Sequence, residues 1–351
     1  MAVLSWQEMR SRPLLWYALL LLLLALLMVA SLGLGRYPVS FIGALEILAE
    51  HFTPLPLQQG ASHWSDVERL VVLQLRPPRV VGAVLAGIAL GMAGATLQGL
   101  FRNPLVDAHI IGISSGASFG GVMALLFALP AVAVVGSAFG AGVLALLAVF
   151  TMSQGADRGR VTTLVLAGLI AGAFFSALVG LVIFVADPQL QLPGIVYWLM
   201  GSFSRLDYPR LWMLALPVVG AGFLLHRMRW RINLLSLGDN DALGLGVPVE
   251  RTRWTALVLV TLMVAAQVAV SGGIGWVGLV IPHLARLLTG PDHRTLLPVS
   301  ALLGGIFMLA IDDVSRGFTA QELPVGLLSA LLGTPLFAYL LWRRSLRRGA
   351  E

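Results

Sequence analysis

Gly112-Ile-Ser-Ser-Gly116 has the G-x-S-x-G spacing of a nucleophile elbow, a motif that places a serine on a strained turn between a strand and a helix. Here the motif opens an apolar segment just after Asn103-Pro104-Leu105, and the nearby candidates for base and orienting acid are His109 and Asp107. These two are too local in the chain to build a triad around Ser114 or Ser115. The Ser, Gly and Ala cluster, Ser114 and Ser115 included, therefore reads as the lining of a cavity or as a packing face. The six histidines, at 51, 63, 109, 226, 283 and 293, show neither i,i+4 nor H-E-x-x-H pairing, which argues against a fixed metal site. His283, near the end of a short apolar segment, reads as interfacial.

A proton-driven carrier needs an ionisable group deep in a span. No clearly apolar run carries one at its middle; Asp312, Asp313 and Arg316 fall at the end of a run, as a local ion pair. That pattern points to an energy source outside the chain, most simply a separate ATPase engaging a cytoplasmic loop. Arg76 and Arg79 flank Pro77-Pro78. They read either as interfacial snorkelling side chains or as an exposed cationic patch for an acidic partner protein, which bidentate arginine–carboxylate pairs suit.

These groups are carried by a chain that is 58% hydrophobic and 11% charged over 351 residues, far from the balance of a soluble domain. The mean hydropathy is +0.89. Continuous apolar runs exclude a β-barrel, whose spans alternate. They predict an all-α polytopic membrane protein with ten transmembrane helices: Leu14–Leu34, Val80–Leu100, His109–Leu129, Val132–Met152, Thr162–Ala186, Leu211–His226, Trp254–Val270, Gly275–Thr289, Leu296–Val314 and Val325–Leu341. The first run is longer than a signal-peptide core and lacks a small-x-small cleavage site, so it is expected to be retained. There is no cysteine and no lysine; all 23 basic residues are arginine.

With ten spans both termini share a side. Placing them in the cytoplasm puts sixteen arginines inside (10, 12, 102, 158, 160, 227, 229, 231, 251, 253, 286, 294, 343, 344, 347 and 348) and seven outside (36, 69, 76, 79, 205, 210 and 316), as the positive-inside rule requires. Residues 1–351 then form a single transmembrane domain with an outer segment, 36–74, and a cytoplasmic loop, 227–253. Phe41–Phe52 in the outer segment reads as a short surface helix. In the loop, Asp239 or Asn240 is placed to cap a second short helix, and two short helices near a right angle are expected. Gly87/Gly91, Gly116/Gly120, Gly136/Gly140 and Gly168/Gly172 have the spacing of close helix–helix contacts.

The motifs RPPR, LQGLFRNPL, GISSGAS, YWLMGSF, LLSLGDNDALGLGV, GGIGWVGLVIPHLARLLTGPDHR and ELPVGLLSALLGTPLF together resemble the FecCD family, the permeases of iron–siderophore, haem and cobalamin ABC importers, collinearly from about residue 10 to the end. The resemblance implies the type II ABC importer permease fold and a non-catalytic subunit of an importer in a bacterial or archaeal cytoplasmic membrane. Its implied partners are a second permease copy as a homodimer, two ATPase subunits that bind the ATP and magnesium, and a periplasmic or lipoprotein substrate-binding protein. The implied cargo is an iron(III)–siderophore or haem; cobalamin and molybdate or tungstate are the alternatives, and a secondary carrier or an intramembrane hydrolase the readings of a different class.

Carried over residue by residue, the resemblance makes Arg76, Arg79 and Arg316 docking arginines for the binding protein. It makes Asn103, Leu105, Val161 and Thr162 a cytoplasmic gate, and Leu237, Gly238, Ala242, Leu243, Gly244, Leu245 and Gly246 the segment coupled to the ATPase. Two departures stand out. Relatives often carry Ser or Thr at the positions of Val161 and Thr162, and NPLVDAH places His109 where relatives have a small residue at the cavity wall, beside Ser114 and Ser115.

Overall fold

The computed structural model of the protein describes residues 13–35, 37, 39–52, 64–154, 161–317 and 321–348. Arg10, Arg12, Arg36, Arg158 and Arg160, which enter the charge argument, lie outside the described residues. Among the described residues all regular structure is helical. The first half of the chain holds α1 (Pro13–Gly33), α2 (Phe41–Phe52), α3 (Asp66–Leu70), α4 (Arg76–Leu100), α5 (Ile113–Leu126), α6 (Ala131–Met152) and α7 (Val161–Val185). The second half holds α8 (Leu192–Leu199), α9 (Tyr208–Leu235), α10 (Asp239–Gly244), α11 (Val249–Ser271), α12 (Val277–Thr289), α13 (His293–Gly317) and α14 (Val325–Arg348).

Among the described residues seven helices are long and apolar enough to cross a membrane: Leu14–Gly33, Asp66–Leu100, Ala131–Met152, Val161–Val185, Tyr208–Leu235, Val249–Ser271 and His293–Gly317. Three shorter apolar helices accompany them, Ile113–Leu126, Val277–Thr289 and Val325–Leu340. Each expected span falls on one of these helices. The expected surface helix is present as α2, with Phe41, Ile42 and Leu45 exposed.

The bundle is organised around α4, which is buried along nearly its whole length. Its start is set by Pro77 and Pro78. Neither has an N–H to give to the carbonyls one turn back, and the preceding Val71–Leu75 turn widens to a π-helix. The Leu73 carbonyl, whose normal donor would be residue 77, accepts the Tyr208 hydroxyl at 2.7 Å instead. Small residues then bring backbones into contact. A Cβ on Gly87 would stand 2.0 Å from the Gly304 carbonyl oxygen, and one on Gly91 2.3 Å from that of Ser300. With no hydrophobic drive between helices in lipid, this close approach is what holds α4 against α13.

Gly116 and Gly120 likewise meet α6, and Gly168 and Gly172 meet the 109–112 corner. Gly136 and Gly140 do not fit the expectation: a Cβ at either would have nothing within 4 Å. They lie on a face of α6 that no other described helix covers.

Loop 227–253 also differs from the expected pair of short helices. Helix α9 continues to Leu235, so Arg227, Arg229 and Arg231 belong to a long span's end, and α10 is the one short helix there. Its N-cap is Gly238, with φ +149° and no side-chain cap, rather than Asp239 or Asn240. Asp239 is instead committed to an ion pair with Arg253 at 2.8 Å.

Candidate functional site

One end of the bundle gathers Arg76, Arg79 and Arg316. Arg76 and Arg79 are expected on an exposed patch or as snorkelling side chains, and Arg316 in a local ion pair; the structure buries all three, Arg76 at 5% exposure, Arg79 at 9% and Arg316 at 5%. The reason is that each has internal partners. Arg79 donates to both oxygens of Asp312 at 2.8–3.1 Å and to Glu322 Oε1 at 2.9 Å. Arg316 pairs with Asp312 at 3.2 Å and, one residue closer in the chain, with Asp313, whose carboxylate also accepts the Ser31 hydroxyl at 2.5–2.6 Å.

Arg76 takes a different role. It donates to the carbonyls of Leu32 at 2.5 Å and Tyr37 at 2.8 Å, while Arg316 reaches Leu34 O at 3.1 Å. Together the two cations satisfy carbonyls left over at the C-terminal end of α1, where the helix dipole favours positive charge. The local Asp312–Asp313–Arg316 pairing is therefore part of a network that also includes Arg79, Glu322 and the end of α1. Glu322 opens the ELPVGLLSALLGTPLF motif, but its pairing with Arg79, 243 positions away, has no signal in the sequence.

The other end of the bundle carries the Asn103 corner and the 227–253 loop. Asn103 Oδ1 accepts the Leu105 N–H at 2.9 Å, an Asx turn that closes the corner, and Arg102 takes φ +49°. Asn103 and Leu105 are exposed, Leu105 by 48%. Val161 and Thr162 are the first residues of α7, Val161 partly packed against the core and Thr162 exposed. The corner touches the short helix: a Cβ on Gly238 would lie 3.7 Å from the Arg102 guanidinium.

On α10 and its flanks, Ala242 is buried as the anchor. Leu237, Leu243 and Leu245 are 61%, 58% and 62% exposed, and Gly244 and Gly246 have open space where a Cβ would go. Three exposed leucines on a nine-residue tip are a large apolar surface for one loop. Nearby, Asp292 holds its carboxylate below the usual range through the Arg294 side chain that bonds it, and Arg294 in turn stacks on Trp230 at 5.6 Å.

The serine motif lies between the two ends. A cavity of only about 10 Å³ is lined by Asp107, His109, Ser114, Trp276 and Gly278, among others. That is room for about one water and not for an acyl substrate. The Asp107 carboxylate accepts the N–H groups of His109 at 3.0 Å and Ile110 at 3.2 Å, so it shapes the corner instead of orienting the imidazole. Ser115 is bonded to Ser176 of α7 at 3.3 Å. Gly112 begins α5 in the left-handed region at φ +79°, where a Cβ would stand 2.8 Å from the Gly172 nitrogen, so a glycine is required there. His283 is not interfacial: it is buried within α12, edge-on to Phe337 with ring centroids 6.0 Å apart.

Comparison with known proteins places this arrangement. The description of the FecCD transport family matches residues 22–343. The molybdate import system permease protein MolB of Haemophilus influenzae is 42% identical, over 94% of this chain and 95% of that protein. The hemin transport system permease protein HmuU of Yersinia pestis is 37% identical, over 97% of this chain and 98% of its own. A solved structure described as an inward-facing conformation of a metal-chelate type ABC transporter superposes with a TM-score of 0.83 at 39% identity, covering 94% of this chain and 99% of that one.

Proposed function

Because the chain belongs to the FecCD transport family, we propose that it is the non-catalytic permease subunit of an ATP-binding-cassette importer for a metal chelate, an iron(III)–siderophore or haem. In this reading all ten apolar helices span the membrane, both termini are cytoplasmic, and the Asn103 end faces inward. Two copies form the translocating unit, two ATPase subunits dock on α10, and a substrate-binding protein docks on the opposite, Arg76 face.

The observation that carries the reading is the α10 tip. Leu237, Leu243 and Leu245 are exposed, while the backbone beneath them is fixed by the Arg253–Asp239 pair and abuts Arg102 of the corner. A rigid apolar knob tied to the Asn103–Leu105 turn suits a partner that pushes on the loop and moves the corner, with Val161–Thr162 as the facing part of the gate. ATP and magnesium belong to that partner. Ser114, Ser115 and His109 then line the route of the cargo. The docking arginines act by exchange: an incoming carboxylate displaces Glu322, the most exposed acid of the network, from Arg79.

A second cargo reading rests on the likeness to MolB, whose name specifies molybdate; an oxyanion such as molybdate or tungstate is the alternative to the chelate. The test is uptake by vesicles carrying the permease, its ATPase and its binding protein. ATP-dependent accumulation of labelled chelate supports the proposal, accumulation of molybdate alone selects the second reading, and uptake without ATP contradicts both.

A further inference from the structure

At the Arg76 end a crevice of about 160 Å³ is bounded by the first turns of α6 and α9 and the last turn of α11. Its inner part is apolar: Val134, Ala269 and Val270 are buried there, with Leu125 and Val135 beside them. Its rim is polar and basic, with Tyr197, Ser202, Arg205 and Arg210. No acid lines the crevice among the described residues; Asp207, between the two arginines in the chain, caps α9 through the Arg210 N–H at 2.9 Å and pairs with one nitrogen of the Arg210 guanidinium at 3.2 Å. Arg205 is exposed and has no ion-pair partner among the described residues.

The surroundings fix the depth of this crevice. Beside the rim α6 presents Val132 at 66% exposure, and along α9 Trp212, Leu216 and Val219 are 62%, 69% and 61% exposed. Exposed apolar side chains of this kind suit a lipid-facing flank, and Trp212, near the start of a long apolar helix, suits the headgroup level at which tryptophan anchors a span. The rim arginines therefore sit at a bilayer interface, above an apolar slot that opens beside acyl chains. An aqueous anion would match the rim but not the slot, and a neutral lipid would match the slot but leave Arg205 without a counter-charge.

We propose that this crevice binds one anionic phospholipid, its phosphate paired with Arg205 and Arg210 and one acyl chain laid along Val134 and Val270. Guanidiniums suit phosphate through bidentate hydrogen bonds. The proposal needs only that the chain spans a membrane, and holds whichever cargo it carries.

The test uses the full chain in phosphatidylcholine nanodiscs doped with a phosphatidylglycerol analogue bearing a photoreactive group on one acyl chain, with labelled peptides mapped by mass spectrometry. Labelling is expected in Leu125–Val135 and in the last turn of α11. Arg205→Ala should lower it about fivefold and Arg205→Ala with Arg210→Ala about thirtyfold. Arg205 is exposed and has no ion-pair partner among the described residues, so its variant is expected to fold. Val135→Trp, which fills the slot and keeps both arginines, should also lower labelling. Competition by unlabelled phosphatidylglycerol, and not by phosphatidylcholine or inorganic phosphate, is expected. Equal labelling by a phosphatidylcholine analogue, displacement by inorganic phosphate, or crevice labelling unchanged in the double variant would overturn the proposal.

Discussion

Arg79 and Asp312 are joined by three hydrogen bonds of 2.8–3.1 Å across α4 and α13, with the Asp312 carboxylate completely enclosed. A charge pair taken out of water in this way is poor evidence of net stabilisation, but breaking it strands the survivor. Asp312→Ala is therefore expected to cost about 3–5 kcal/mol, read as a fall in the melting temperature of the purified protein. Arg79→Met with Asp312→Leu should recover most of that loss. An unshifted melting temperature in the single variant would mean that Glu322, already bonded to Arg79, and Asp313, bonded to Arg316, are sufficient counter-charges without Asp312.

The same network bears on docking. Glu322 occupies one nitrogen of Arg79 from the more exposed side. Glu322→Gln weakens that competitor, so affinity for the binding protein should rise by about tenfold. The check is titration of the binding protein onto the permease in nanodiscs. Unchanged or weaker binding would remove Arg79 from the docking surface.

Glycine positions separate packing from spacing. Gly87→Ala forces a Cβ against the Gly304 backbone, and neither helix has a side chain to move aside. A loss of about 1–3 kcal/mol is expected. Gly136→Ala meets nothing within 4 Å and should be neutral or slightly stabilising. Thermal melts of the two variants side by side test this; equal losses would contradict the close approach of α4 and α13.

The contrast shows what sequence alone carries. Apolar runs located every long helix, because lipid demands them whatever the neighbours are. Glycine spacing cannot say which glycines face a partner: Gly87/Gly91 and Gly136/Gly140 are indistinguishable as strings, and only the bundle decides. The Asn103 corner was legible because Asn and Pro interrupt an apolar stretch. Burial of Arg76 and Arg316 was not legible, since the carbonyls they satisfy come from the end of α1, tens to hundreds of residues away. The lipid crevice joins α6, α8, α9 and α11 and leaves no local trace at all.

The α10 tip gives the partner prediction. Leu243→Glu with Leu245→Glu places charge on side chains already exposed, so the melting temperature should hold. Co-purification with the ATPase and ATP-driven uptake should both fall by at least tenfold, as for loss of an apolar anchor at the core of an interface. Retained co-purification would place the ATPase contact elsewhere.

The central claim is that this chain moves cargo only when an ATPase drives it. The direct measurement is cargo uptake into proteoliposomes holding the permease, its ATPase and its binding protein, with ATP supplied on the ATPase side. The account predicts accumulation that requires ATP and stops when the ATPase is omitted. Accumulation driven by a proton gradient, with no ATPase present, would contradict it.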